Sequence, residues 1–158
     1  MGARNERHLV NIVDFGLANR YRDEITLIHI PYNTHKHLVG SARFASLNSH
    51  LGVEQARRDD LESLAYNLIY FLRGSLPWQH LDASPTIKKH RGIIRQKSGV
   101  AELCSGIPDE FRTFLLYTRA LTFNAEPDYT YIRTMFQNLF DRCGYRDDGV
   151  FEWNGTTK

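Results

Sequence analysis

Cysteine is scarce in this chain: two among 158 residues, Cys104 and Cys143. They lie far apart, with neither CxxC nor Cys/His ligand spacing. Such usage suits a reducing compartment better than a disulfide framework. The histidines at 29, 35, 37 and 50 gain no cysteine partner, which sets a zinc cluster aside. Long hydrophobic runs are missing too. The most apolar stretch, LAYNLIYFL at 64–72, is far too short to span a bilayer and is broken by Asn67. Nor is there an excess of one charge. Lys and Arg number 20 against 18 Asp and Glu, so no whole-molecule field argues for nucleic acid or an anionic membrane. Any basic site must be local. The opening MGARNERHLV carries charges of both signs, no apolar h-region and no Ser or Thr at a myristoylation position. The expected location is therefore the cytoplasm or nucleus. Repeats, low-complexity tracts and Pro/Gly-rich linkers are also lacking, which predicts one unit.

The chain that remains reads as mainly helical, with a short β segment at its start. Leu9, Val10, Ile12 and Val13 predict a strand over residues 8–13, followed by a turn at Gly16. Residues 22–56 show no sustained period and carry Pro31, Gly40 and Gly52, so they read as a long ordered loop, a feature that usually has a function. Behind Asp59 and Asp60, Leu61, Leu64, Ala65, Leu68, Ile69 and Leu72 recur at helical spacing. A second helix is expected from Ser84 and Pro85 to about Lys97, closed by Gly99. A third begins near Pro108 and buries Phe111, Phe114, Leu115 and Leu121. A fourth starts near Asp128, turns Tyr129, Ile132, Phe136, Leu139 and Phe140 inward, and stops at Gly144.

Six stretches carry a more specific pattern: DFGLANRYRD at 14–23, HIPY at 29–32, GSARFASLN at 40–48, RRDDLESL at 57–64, GSLPW at 74–78 and PDYTYIRTMFQNLF at 127–140. A bare Asp-Phe-Gly is common and by itself means a capped turn. In this order and spacing, however, the set resembles the casein kinase 1 family of Ser/Thr protein kinases. Ser46, Leu47 and Asn48 stand where that family ends its activation segment with Ser-Ile-Asn in place of Ala-Pro-Glu. VFEWN at 150–154 resembles the end of its kinase domain.

The resemblance implies the C-lobe of a protein-kinase-like fold, incomplete, spanning residues 1–158, with an activation segment at 14–48 and a helical C-lobe at 57–154. It implies Asp14 as the magnesium ligand, because magnesium takes one or two carboxylates together with waters and phosphate oxygens. Lys36 and Arg43, with Gly74 and Ser75 nearby, are implied as the site for the acidic or phosphorylated groups of protein substrates, for which a guanidinium fork is suited. Asp60 is implied as a structural helix Asp, against the plainer reading of a helix cap. Trp78 reads as a core aromatic, and Arg119 as the partner of a buried carboxylate, with Glu54 the expected acid. Three departures matter. Asp82 stands where the family has a Lys, Val39 where it has Thr, and Ala65 where it has Gly.

The parts missing from the pattern are as telling. No GxGxxG occurs, no VAIK-like strand precedes Asp14, and the nearest match to HRD, His90-Arg91-Gly92, follows the activation segment. The catalytic base is thus not retained, and Met1-Gly2 resembles an internal position of the family. The resemblance therefore implies magnesium and ATP for the complete kinase and neither for this chain alone. The alternative is a non-catalytic, pseudokinase-like module that binds anionic protein partners, with no membrane or nucleic-acid partner in either case.

Overall fold

The structure, a computed structural model, describes residues 10–81 and 87–149, with the side chains of 87–90 excepted. Its axis is the longest helix, α2 (Arg57–Arg73). Around it lie α1 (Leu47–His50), α3 (Ile87–Ser98), α4 (Val100–Leu103), α5 (Asp109–Ala120) and α6 (Tyr129–Arg142). The protein is mainly helical, as its periodicity predicts. α2 packs most extensively on α5, α5 also meets α4 and α6, and α3 lies against α1 and a 3-10 turn at Pro77–His80.

Local chemistry explains the ends of α2. Its first turn is closed by Asp59, whose Oδ2 accepts from the Ala56 N–H at 2.9 Å. Asp59 and Asp60 both sit where the helix dipole favours negative charge. At the other end Gly74 takes φ 74°, the left-handed geometry a glycine adopts without a Cβ penalty, and its N–H donates to the Tyr70 carbonyl.

The core runs from Ala65, Tyr66 and Ile69 on α2 to Trp78, Ile93, Leu103 and the pair Phe114 and Leu115 on α5. The Tyr66 and Trp78 rings meet edge to face, with centroids 5.1 Å apart. The buried face of α2 keeps most of the apolar stripe that the sequence suggests, with Leu61 and Leu68 also packed against the core, but it is not wholly apolar. Asp59, Glu62, Ala65, Tyr66 and Ile69 are buried, while Leu64 and Leu72 are exposed. Two carboxylates thus lie on the inner face, for reasons given below. Tyr129, expected to point inward, is also exposed, because it occupies the first position of α6, outside the packed turns that carry Ile132, Phe136 and Leu139.

The expected N-terminal strand is the clearest correction. Residues 8 and 9 lie outside the described residues, and residues 10–13 form no strand. Val10, Ile12 and Val13 are each more than three-quarters exposed. A strand needs a partner for its backbone groups, and apolar side chains alone do not supply one. Among the described residues the only ladder contact is an isolated antiparallel bridge between Arg22 and His29. Residues 22–46 form a loop, as the sequence suggests, and α1 and α4 add two short turns of helix that periodicity does not detect. α3 is described from Ile87, so its expected start at Ser84 and Pro85 lies outside the described residues, as do Asp82 and the VFEWN stretch.

Candidate functional site

Asp14 lies in an exposed turn. Its backbone takes φ 66°, unusual for a residue other than glycine, and its Oδ1 accepts from the Gly16 N–H at 3.2 Å. A Cβ at position 16 would lie 3.2 Å from that same oxygen, so the turn favours glycine there. Asp14 offers one hard oxygen ligand. Among the described residues no group of three or more His, Cys, Asp or Glu side chains converges as a protein-only metal cage requires. A magnesium–nucleotide complex would therefore have to be completed by groups other than those gathered around this turn.

The implied anion site is dispersed. Lys36 is exposed, and its Nζ pairs with Glu54 Oε2 at 2.7 Å. That pair belongs to a close contact between two loop strands: the Lys36 N–H donates to the Gly52 carbonyl, and the Glu54 N–H donates to the Asn33 carbonyl. Gly52 has φ 73°, and a Cβ there would come within 3.0 Å of the Lys36 carbonyl, so its lack of a side chain permits the approach. Arg43 lies elsewhere. It lines a small cleft of about 80 Å³ with Ser41, Ala42, Trp78, Gln79 and Leu81. Its carbonyl accepts from Trp78 Nε1 at 2.7 Å, which satisfies the polar edge of a ring that is otherwise buried. Its guanidinium lies 6.0 Å from the Phe44 ring centroid. Gly74 and Ser75 are exposed at the end of α2 and do not line this cleft.

The densest chemistry lies beneath these loops. Asp59 Oδ1 accepts from Ser46 Oγ at 2.7 Å and from Asn48 Nδ2 at 3.1 Å, while Ser46 Oγ accepts from the Ser49 N–H and caps α1. Glu62 Oε1 accepts from Tyr66 Oη at 2.5 Å, from Arg119 Nε at 3.1 Å and from the Leu47 N–H at 3.2 Å. Arg119 donates further to Tyr66 Oη and to the Lys97 carbonyl, both at 2.7 Å. The buried acid opposite Arg119 is therefore Glu62. Glu54, the expected partner, is taken by Lys36. Asp60 is exposed, and the cap-like bonds belong to its neighbour. Partial loss of water around the Asp60 carboxyl, and second the charge of Asp59, raise its pKa. Burial and the Glu62 charge push the Tyr66 phenol up as well, so it stays protonated as a donor.

Lys97 completes this group. It is fully buried, and its Nζ donates to the carbonyls of Ala42, at 3.1 Å, and of Ala45. The amine also sits 4.7 Å from the Tyr66 ring centroid and 5.1 Å from that of Trp78. Neither Lys97 nor the inward acids were singled out from the sequence. The available signal was register: Lys97 stands four residues after the buried Ile93, and Glu62 three and four before Ala65 and Tyr66.

The charged groups of this set are engaged in hydrogen bonds within the fold. Three side chains, Asp59 and Glu62 from α2 and Lys97 from α3, bond directly to residues 42–49, and Tyr66 and Arg119 brace them from behind. No protein-family model matches the chain. Among the described residues no helix is long and apolar enough to cross a membrane.

Proposed function

We propose that this chain is part of a Ser/Thr protein kinase of casein kinase 1 type, with residues 14–48 as its activation segment and residues 57–154 as its helical C-lobe. The complete protein would transfer the γ-phosphoryl group of ATP to Ser or Thr of acidic or previously phosphorylated proteins. The order and spacing of the six sequence stretches carry this reading. It is supported by the contacts of Ser46 and Asn48, both of which donate to Asp59, so the residue types at the end of the assigned activation segment have a structural reason.

Asp14 would contribute one oxygen to magnesium, which neutralises developing charge on the phosphates. Arg43 would orient an anionic substrate group from the edge of its cleft. The proton acceptor, the Gly-rich loop and the nucleotide-binding Lys are assigned to polypeptide other than these 158 residues. Phosphoryl transfer depends on all of them being positioned together, so the chain alone is assigned no catalysis.

A second reading, a non-catalytic module that binds anionic partners, draws on Arg43. Among the described residues no carboxylate pairs with it, whereas Lys36 is already matched by Glu54. The test begins with labelled ATP and an acidic, phosphorylated peptide. Residues 1–158 should incorporate nothing. Joined to a segment supplying a Gly-rich loop, a strand Lys and an HRD loop, they should become active, and Asp14→Asn should abolish that activity. Failure of the joined protein, with retained phosphopeptide binding lost in Arg43→Ala, would favour the module.

A further inference from the structure

Lys97 is a strange residue to find wholly out of water. A buried ammonium is ordinarily matched by a carboxylate, yet no ion pair joins Lys97 to an acid among the described residues. The acid whose charge acts on it, Glu62 on α2, is already engaged by Tyr66, Arg119 and the Leu47 N–H. The α5 side contributes a second cation, Arg119. From the 41–50 segment, His50 brings Nε2 to within 3.0 Å of the same Ala42 carbonyl that Lys97 contacts, and Arg43 carries a charge at the rim. Trp78 and Tyr66 close the remaining sides with ring faces.

The donor arithmetic favours the neutral amine. An uncharged –NH₂ has two N–H groups, and two carbonyls, those of Ala42 and Ala45, receive them. A third proton would have only aromatic faces to meet, together with the repulsion of Arg119. The rings and carbonyls do attract a cation, but desolvation outweighs them.

We propose that Lys97 is a proton-operated latch: with its amine neutral it holds residues 41–50 against α3, and on protonation the segment loosens so that the charge reaches water. Burial, the largest influence, lowers the Lys97 pKa from 10.5 to about 7, with Glu62 acting in the opposite sense and Arg119 in the same sense. The sign follows from proton uptake. Between about pH 7 and the free-lysine range the open form binds a proton that the closed form does not, so closure strengthens as pH rises. Below about pH 7 both forms are protonated, and the closed one bears the full penalty of a buried charge. The latch requires no nucleotide, so it stands or falls apart from the phosphoryl-transfer reading.

Hydrogen exchange on the full chain tests it, read at the Ala45 and His50 amides, which donate to the Ser41 and Ser46 carbonyls. After correction for intrinsic exchange, the opening constant should fall roughly fifty-fold between pH 7 and pH 9. These amides should also exchange faster than that of Ile69 in the core. Lys97→Met, an apolar side chain of similar length, should remove the slope while His50 remains. A slope unchanged in that variant, or exchange at the Ile69 rate throughout, would overturn the latch. If Lys97→Met does not fold, the Lys97 Hε/Cε resonances of the unmodified protein decide. A midpoint near neutrality supports the proposal, and one in the ordinary lysine range refutes it.

Discussion

Residues 10–40 and residues 41–142 are both supplied with apolar and aromatic side chains, but the fold treats them in opposite ways. In the second stretch Tyr66, Ile69, Trp78, Phe114 and Leu115 vanish from solvent. In the first, Ile12 is 82% exposed and Ile25 91%, and Phe15, Leu17 and Ile28 are also largely exposed. Organisation in the first stretch is local. Asp23 Oδ1 accepts from the Ile25 and Thr26 N–H groups and from Thr26 Oγ1, and these bonds hold its carboxyl pKa below the ordinary value. The stretch meets the body through rings, with His29 and Tyr32 packed edgewise on Phe123 and Arg57 4.5 Å from the Tyr21 centroid, and through Asn33 and Lys36, which bond to Glu54 and Gly52. Hydrophobicity becomes stability only where a second surface meets it.

Between the two regions lies the join at residues 41–50, and it is polar. The largest effect should come from breaking it: Glu62→Ala empties a buried site and leaves the partly buried Arg119 without its acid, and should cost about 3 kcal/mol, read as a lowered urea midpoint. Ser46→Ala removes both a helix cap and a donor to Asp59, for an expected loss of about 1–2 kcal/mol by the same measurement. Lys36→Ala strikes a pair that is half exposed and screened, so about 0–1 kcal/mol is expected, shrinking as salt is added. At the far end of the scale, Ile12→Ser should shift stability by no more than about 0.5 kcal/mol, because that side chain is already in water. A large loss from Ile12→Ser would erase the contrast between the regions. Its absence, beside a large Glu62 effect, would sharpen it.

Much of the helical body was legible in the sequence. The Asp59-Asp60 start and Gly74 bracket α2, Pro108 and Asp109 open α5, and Asp128 caps α6 by accepting from the Tyr131 N–H. What resisted reading was orientation. Leu64 and Leu72 fit the apolar stripe of α2 as well as Ile69 does, yet they are exposed, while Asp59 and Glu62 on the same helix are buried by partners at 46–49 and 119. Arg119 was recognisable as a partner for a buried acid, but the acid expected, Glu54, was the wrong one. Choosing Glu62 over Glu54 required knowing that α5 lies along α2 while Lys36 folds back on Glu54. The strand expected before Gly16 failed for a related reason: β propensity proposes an edge, and only a neighbouring chain completes it.

The sequence by itself determined the approximate ends of the longer helices α2, α5 and α6, since caps, prolines, glycines and apolar period act over a few residues. It also carried the motif pattern that suggests a kinase. Tertiary structure alone decided which charges were buried together, because desolvation and pairing depend on side chains brought in from positions 42–50, 62, 97 and 119. Those positions are distant along the chain, and their energies exist only once they share a space without water.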